Sequence, residues 1–456
     1  MTARKFKLPD YPRVALVLQG GGALGSYQAG VYEGLANAGI HPNWVAGVSI
    51  GSLNCAIIAG NAPEDRVQKL HDFWDSICSP PVLPSTFMAN PHDAFAKAMA
   101  PWGDMMEGLG HTLFGSMAAM SALVKGQDTF FKPRFLAPGG GSPDATSFYD
   151  TAPILSTLER FADFDRINSG ETRVSLGTTN VASGNFVYFD NGEIKLTPKH
   201  FLASGSLPPG FPATEIDGEY YWDGGCVSNT PLEYVLGVTP RKDTLVFQVD
   251  LWSARGALPV DIQQVTERLK DIQFSSRTRT VTNAINSAQM MRKALFDTVA
   301  RIPDSVRAKD PWFDSMLRHM MGARYNVIHL IYHNKQTEGF YKDYQFSAES
   351  MRMHWQTGAS DMHETLEVPG CLAMPAEGEN FVTFDVHTHK RTSSGQFQHP
   401  ALKSSRHSKA SVAETEKPVV KRATQTVAKT ATKTALKTAK KAVTKSAAKR
   451  PAKKAT

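Results

Sequence analysis

Residues 14–60 read VALVLQGGGALGSYQAGVYEGLANAGIHPNWVAGVSIGSLNCAIIAG. Val14-Ala-Leu-Val-Leu-Gln19 is an apolar run of strand length, and the six residues that follow, Gly20 to Gly25, hold four glycines. A helix is expected over Ser26 to Ala38, closed by Gly39 and Pro42. Trp44 to Val48 reads as a second strand running into Gly47-Val48-Ser49-Ile50-Gly51, and Ser52 to Ala59 reads as another apolar helix. Two strand-turn-helix units in the first 60 residues predict an α/β architecture with a parallel sheet and helices on its faces.

Beyond these units the pattern loosens from Asn61 to about Pro143, a stretch holding Met88, Met99, Met105, Met106, Met117 and Met120 among small residues. It reads as an insertion or cap, since methionine fills irregular apolar gaps. The sheet pattern resumes with a helix around Ile154 to Phe164, a strand or hairpin from Arg173 to Phe189 turning near Ser183-Gly184, and a strand Thr244 to Leu251. From Asp261 to about Ala300, apolar residues recur at spacings of three or four, first at Ile262, Val265, Leu269 and Ile272, which predicts a pair of amphipathic helices. A strand Asn326 to Tyr332 and a helix near Ala348 to Thr357 complete a second unit, and patterned order ends after Thr388.

The chain has 456 residues, 41% of them hydrophobic and 20% charged, an ordinary globular composition with length for roughly two to four domains. Its four cysteines (Cys55, Cys78, Cys226, Cys371) show no Cys-x-x-Cys pair, so neither a disulfide framework nor a structural zinc site is expected, and a cytoplasmic setting fits. No run of 18 apolar residues predicts a membrane span, and Val14 to Leu18 is too short for a signal peptide's apolar region. The net charge of +7 is unevenly placed. Leu402 to Thr456 carries 16 Lys or Arg against two acids, whereas Met1 to Ala401 is net −7. That Lys/Ala/Thr-rich tail lacks any aromatic residue, and it is expected to be disordered, either as a solvated tail or as a binder of an anionic surface or nucleic acid.

Gly47-x-Ser49-x-Gly51 between a strand and a helix is the setting of a nucleophile elbow. The turn forces the serine into strained backbone geometry, and the flanking glycines prevent clashes. Ser49 is then projected at a helix N-terminus, where free N–H groups favour developing negative charge. The competing explanation is a glycine-lined turn with an incidental serine. The glycine-rich turn also has two readings. Gly20-x-Gly22-x-x-Gly25 matches a dinucleotide fingerprint, but that fold needs an acid roughly 20 residues further on, and this chain offers Ser49 there. Three consecutive glycines otherwise suit an oxyanion hole, with backbone N–H groups aimed at a substrate carbonyl and joined by the amide of Ile50.

A serine alcohol needs a base. None of the 14 histidines lies in a recognisable turn motif, and an ordinary α/β-hydrolase has several strands before its elbow where only two fit here. Asp223 is the better partner. It follows Tyr220-Tyr221-Trp222 and precedes Gly224 and Gly225, and a carboxylate at a strand end can reach a neighbouring strand. Taken alone, these residues also read as an Asp-Gly turn.

Three elements in fixed order, Gly20-Gly-Gly-Ala-Leu-Gly25, Gly47-Val-Ser-Ile-Gly51 and Asp223-Gly-Gly225, together resemble the patatin-like phospholipase family. Ala203-Ser-Gly-Ser-Leu-Pro208 and Asn229-Thr-Pro-Leu232 are similar to family segments flanking the aspartate. The resemblance covers about Arg13 to Leu251. It implies a three-layer α/β/α fold with a mainly parallel sheet and a Ser-Asp dyad acyl hydrolase. Ser49 is then the nucleophile, Asp223 the base, and the amides of Gly21, Gly22 and Ile50 the oxyanion donors, with no metal or organic cofactor. The family commonly has Arg or Lys before the last glycine of the first motif. Leu24 stands there in this chain, implying loss of a cationic contribution near an anionic head group. From about Phe274 to Leu366, including Met351-Arg-Met-His-Trp355, the chain resembles a domain of unknown function that follows patatin domains in bacterial proteins.

The expected organisation is a catalytic domain over 13–251 with an insertion over 61–143, a helical or mixed C-terminal domain over 261–388, and a disordered tail over 402–456. The expected activity is hydrolysis of lipid carboxylic esters through an acyl-enzyme, with peripheral contact to a membrane or storage granule. One alternative keeps the dyad but acts on a storage polyester such as polyhydroxyalkanoate, suggested by the granule-like tail. Another, of a different class, is a granule- or nucleic-acid-binding protein with a vestigial hydrolase site.

Overall fold

The computed structural model describes residues 8–78, 124–134, 146–276, 278–320, 322–333, 339, 341–376, 379–385 and 390–393. The six methionines between Met88 and Met120, and the basic tail, lie outside the described residues.

Strand β1 (Arg13–Leu18) pairs in parallel with β2 (Trp44–Val48) on one side and with a strand at Thr244–Asp250 on the other. All three are buried almost throughout, as parallel strands covered on both faces must be. Parallel pairing continues from Thr244–Asp250 to Tyr325–Ile331 and on to Phe381–Asp385, and from β2 to Arg173–Asn180. Antiparallel strands occur at the margins: Lys390–Ser393, Phe186–Asp190, and the hairpin Thr214–Ile216 with Glu219–Asp223. The result is a mainly parallel central sheet.

Alternating side chains divide into two cores. Leu16, Leu18, Val45, Leu176 and Phe247 face helices α1 (Gly25–Asn37), α2 (Ile50–Ala59) and α3 (Arg66–Ile77), together with the helix Ala348–Glu367. Ala15, Val17, Ala46, Val246 and Val327 face the helix Leu232–Gly237 and the helix Thr278–Ala300. Helices therefore cover both faces of the sheet, the three-layer α/β/α arrangement.

Two sequence-based boundaries move. The start of the expected insertion is structural, because α3 buries Leu70, Phe73, Trp74 and Ile77 in the first core. The expected C-terminal domain is continuous with the sheet: Tyr325–Ile331 extends it beyond Thr244–Asp250, and the described residues fall in one unit ending at Phe397. The helix expected near 348–357 runs on to Glu367 and crosses α1 closely. At that crossing a Cβ on Gly30 would run into the carbonyl oxygen of Trp355, and one on Gly358 into that of Tyr27. Gly358→Val is therefore expected to lower the unfolding free energy by roughly 2 kcal/mol or more, measured by urea denaturation, with Gly30→Val acting likewise.

Candidate active site

The strand Arg173–Asn180 brings the two decisive residues together. Its first half pairs with β2, ending at Val48 opposite Gly177. Its last three residues pair with Glu219–Asp223, beginning with Thr178 opposite Asp223. Phe186–Asp190 occupies the other side, so β2 and Glu219–Asp223 share one side of this strand and meet end to end. Ser49 is the residue immediately after one end, and Asp223 is the other end.

Ser49 has φ 56° and ψ −127°, a conformation rarely adopted by a residue with a side chain. The strain is held by neighbours. The Ser49 N–H donates to the Ser204 carbonyl at 3.0 Å and to Ser204 Oγ at 3.1 Å, and Ser204 Oγ in turn donates to the Gly177 carbonyl at 2.7 Å. Ser52 Oγ donates to the Ser49 carbonyl at 2.6 Å. Helix α2 starts at the next residue, so its N-terminal amides and dipole act at the serine.

Asp223 is 1% exposed. Its N–H donates to the Ser206 carbonyl at 2.9 Å, its carbonyl accepts from Thr179 Oγ1 at 3.0 Å, and its Oδ1 accepts from the Gly225 N–H at 2.7 Å. The Ser49 side chain lies beside this carboxylate and favours its ionised form. Burial pushes the Asp223 carboxyl up to about 7, against the opposing pull of the Ser49 side chain and the Gly225 hydrogen bond. A carboxylate so raised is a stronger base than a solvated one, and near neutral pH it holds and releases a proton readily.

The glycine turn is oriented through its carbonyls. Gly20 O accepts from Asn229 Nδ2 at 2.9 Å and from Trp252 Nε1 at 2.8 Å. In a trans peptide the C=O and the following N–H point in opposite directions, so the donors that hold the Gly20 carbonyl also set the Gly21 N–H. Gln19 braces the turn from behind, its Oε1 accepting from the Leu251 and Trp252 N–H groups at 2.6 and 3.0 Å. The amides of Gly21, Gly22 and Ile50 have no hydrogen-bond acceptor among the described residues.

Gly20, Gly21, Gly22, Ser49, Ile50, Asp223 and Gly225 all line one cavity of about 350 Å³. Gly25, Gly47, Gly51 and Gly224 do not; they are points of close packing, Gly25 against Ile50 and Trp74, Gly224 against the Gly177 carbonyl, and Gly47 and Gly51 within the elbow and against Leu18. The rest of the wall is largely apolar, including Leu53, Ile154 and a ring cluster in which Phe130 packs on Phe211 and Phe346 and Phe131 packs on Phe211. No histidine is among the described lining residues. His329 instead bonds Asp250 at 2.6 Å.

One expectation is corrected. Leu24 is fully buried in the core, and the cavity does have a cationic group, supplied by Lys270 from the helix Ile262–Phe274 and paired with Asp343 at 2.7 Å. Lys270, Asp343, Trp252 and Phe346 carry no sequence signal, because each reaches the site from a distant element. Ser204 and Asn229 lay inside the two flanking blocks, but their hydrogen-bonding roles depend on tertiary contacts.

Residues 16–236 match the family model described as patatin-like phospholipase, and residues 272–378 match a second model described as patatin phospholipase. The two matches together place the chain in the patatin-like phospholipase family. No curated protein matches its sequence. Similar solved structures include VipD from Legionella pneumophila, at 12% identity over 79% of this chain and 67% of that one with a TM-score of 0.31. ExoU of the Pseudomonas aeruginosa type III secretion system, solved with SpcU, is 16% identical over 59% of this chain and 48% of that one, with a TM-score of 0.21. The chain thus spans about half the length of the ExoU structure.

Asn229→Ala and Trp252→Phe each remove a donor to the Gly20 carbonyl. Steady-state kinetics are expected to show kcat falling by about tenfold to a hundredfold with little change in KM and no movement of the pH midpoint. The raised Asp223 carboxyl also sets a stability penalty. Below its ordinary value of 3.8 both folded and unfolded chains hold the proton and the penalty is absent; it develops between 3.8 and about 7, as the unfolded chain ionises more readily than the folded one. Asp223→Asn should therefore stabilise the fold by roughly 1–3 kcal/mol at pH 8 while changing it little at pH 4, measured by denaturant unfolding.

Proposed function

We propose that Ser49 and Asp223 form a catalytic dyad that cleaves acyl esters of lipids through an acyl-enzyme. The observation that carries this reading is the strained Ser49 beside a buried carboxylate, both at the wall of an apolar cavity. Asp223 takes the Ser49 proton as Oγ attacks the ester carbonyl carbon. The oxyanion that forms is met by the N–H groups of Gly21, Gly22 and Ile50, each contributing about 3 kcal/mol to the barrier's reduction. When the intermediate collapses, the C–O bond to the alcohol breaks and Asp223 returns the proton to that oxygen. Water then attacks the acyl-Ser49 carbonyl, again giving its proton to Asp223, and the fatty acid leaves as Ser49 recovers its hydrogen.

The phenylalanine cluster and Leu53 suit an acyl chain, and the Lys270–Asp343 pair gives the otherwise apolar wall a polar point where a head group can be oriented. A site assembled to this degree favours catalysis over a vestigial hydrolase. A storage polyester presents the same ester to the same dyad, and mass-spectrometric product profiling separates released fatty acids from released hydroxyacids.

Ser49→Ala and Asp223→Asn are expected each to lower p-nitrophenyl ester hydrolysis by at least about a thousandfold with circular dichroism unchanged. Wild-type rates in either variant would exclude the dyad. Because the base must be ionised, kcat/KM should rise with pH through a midpoint near 7 and level off above it.

A further inference from the structure

The helix Ile262–Phe274 is turned inside out. Its charged side chains face the protein: Lys270 pairs with Asp343 at 2.7 Å, Lys342 reaches Glu267 at 3.3 Å and Asp271 at 2.8 Å, and Arg268 donates to the carbonyls of Ser253 and Ala254. Its apolar side chains face solvent, with Ile262 76%, Val265 47%, Leu269 62% and Ile272 56% exposed. At 3.6 residues per turn these four fall within an arc of roughly 80°. The segment leading into the helix adds Leu258 and Val260, at 88% and 84% exposed. A surface helix normally presents the opposite arrangement. A contiguous exposed apolar patch of this kind marks a surface that is covered in use.

We propose that this outer face is where the enzyme docks on a lipid surface. Two features select lipid as the occupant. The inner side of the same helix is a wall of the cavity, lined by Lys270 and Phe274, so one helix carries both the apolar face and part of the site where esters would be cut. The patch is also wholly aliphatic, without the Trp, Tyr and Arg anchors that concentrate binding energy in protein interfaces, and a fluid apolar medium requires no such anchors. The inward ion pairs keep the helix's charges off the lipid. Docking is further tied to the oxyanion turn, because Asn229 Nδ2 bridges the Gly20 carbonyl and the carbonyl of Phe274 at the helix end, at 2.9 Å to each.

The functional use of this surface rests on the lipid-hydrolase reading, but binding itself does not need Ser49. Full-length protein is tested by flotation with phosphatidylcholine vesicles, whose neutral head groups do not recruit the basic tail by charge. Wild type and Ser49→Ala should float equally, and Leu269→Glu should reduce the bound fraction by about tenfold or more, with Val265→Ser/Ile272→Ser moving in the same direction. Leu269→Glu should hydrolyse a water-soluble short-chain p-nitrophenyl ester at the wild-type rate and lose activity only on vesicle-borne esters. Failure of wild type to float, or equal flotation of the variants, overturns the docking surface. So does a wild-type dimer in size-exclusion chromatography that the variants convert to monomer while vesicle binding is unchanged, which would assign the face to a second copy. Loss of flotation in Leu269→Glu alongside wild-type turnover by Ser49→Ala would sink the dyad and leave the docking surface standing.

Discussion

Everything at the site depends on how one strand is shared. Arg173–Asn180 gives its first half to β2 and its last residues to Glu219–Asp223 on the same side, so two strands distant in sequence abut end to end. The junction permits no side chain at Gly224, where a Cβ would press on the Gly177 carbonyl and on Val48. Close approach there brings the Asp223 carboxylate and Ser49 to the wall of one cavity. The same closeness buries Asp223, and burial is what raises its carboxyl into the range where a base is useful at neutral pH. Burial of this carboxylate therefore costs stability at neutral pH.

The glycine turn shows a second economy of means. Glycines free the backbone to approach the substrate, but freedom alone gives no direction. Direction comes from Asn229 and Trp252 on the Gly20 carbonyl and from Gln19 behind it, side chains that belong to three different parts of the chain. The helix Ile262–Phe274 joins this network at its C-terminal carbonyl. A segment outside the 16–236 family match thus helps to complete the site.

That helix also explains why hydrophobic periodicity, read alone, was insufficient. Ile262, Val265, Leu269 and Ile272 mark one face of an amphipathic helix, and the pattern is correct as a pattern. Periodicity identifies a face but not what lies opposite it. Here the polar face is satisfied inside by Asp343 and Lys342, which come from residues far along the chain, and the apolar face is left outward. Similarly, Leu24 suggested a missing cation, whereas Lys270 supplies one from a different element.

The α/β class, the two initial strand-turn-helix units, the elbow at Ser49, the glycine turn and the candidate aspartate are legible from the chain alone, because each is written in local constraints. Tight turns need glycine, strands buried on both faces need continuous apolar runs, and an elbow needs small residues on either side of its nucleophile. Three-dimensional packing shows what no stretch of chain could: β2 and Glu219–Asp223 meet on one strand, the C-terminal segment extends the same sheet, Trp252 and Asn229 hold the Gly20 carbonyl, and an apolar helix face points outward. The reason is physical: pairing register, burial and hydrogen-bond direction are relations between segments remote in sequence, and no single stretch of chain contains them.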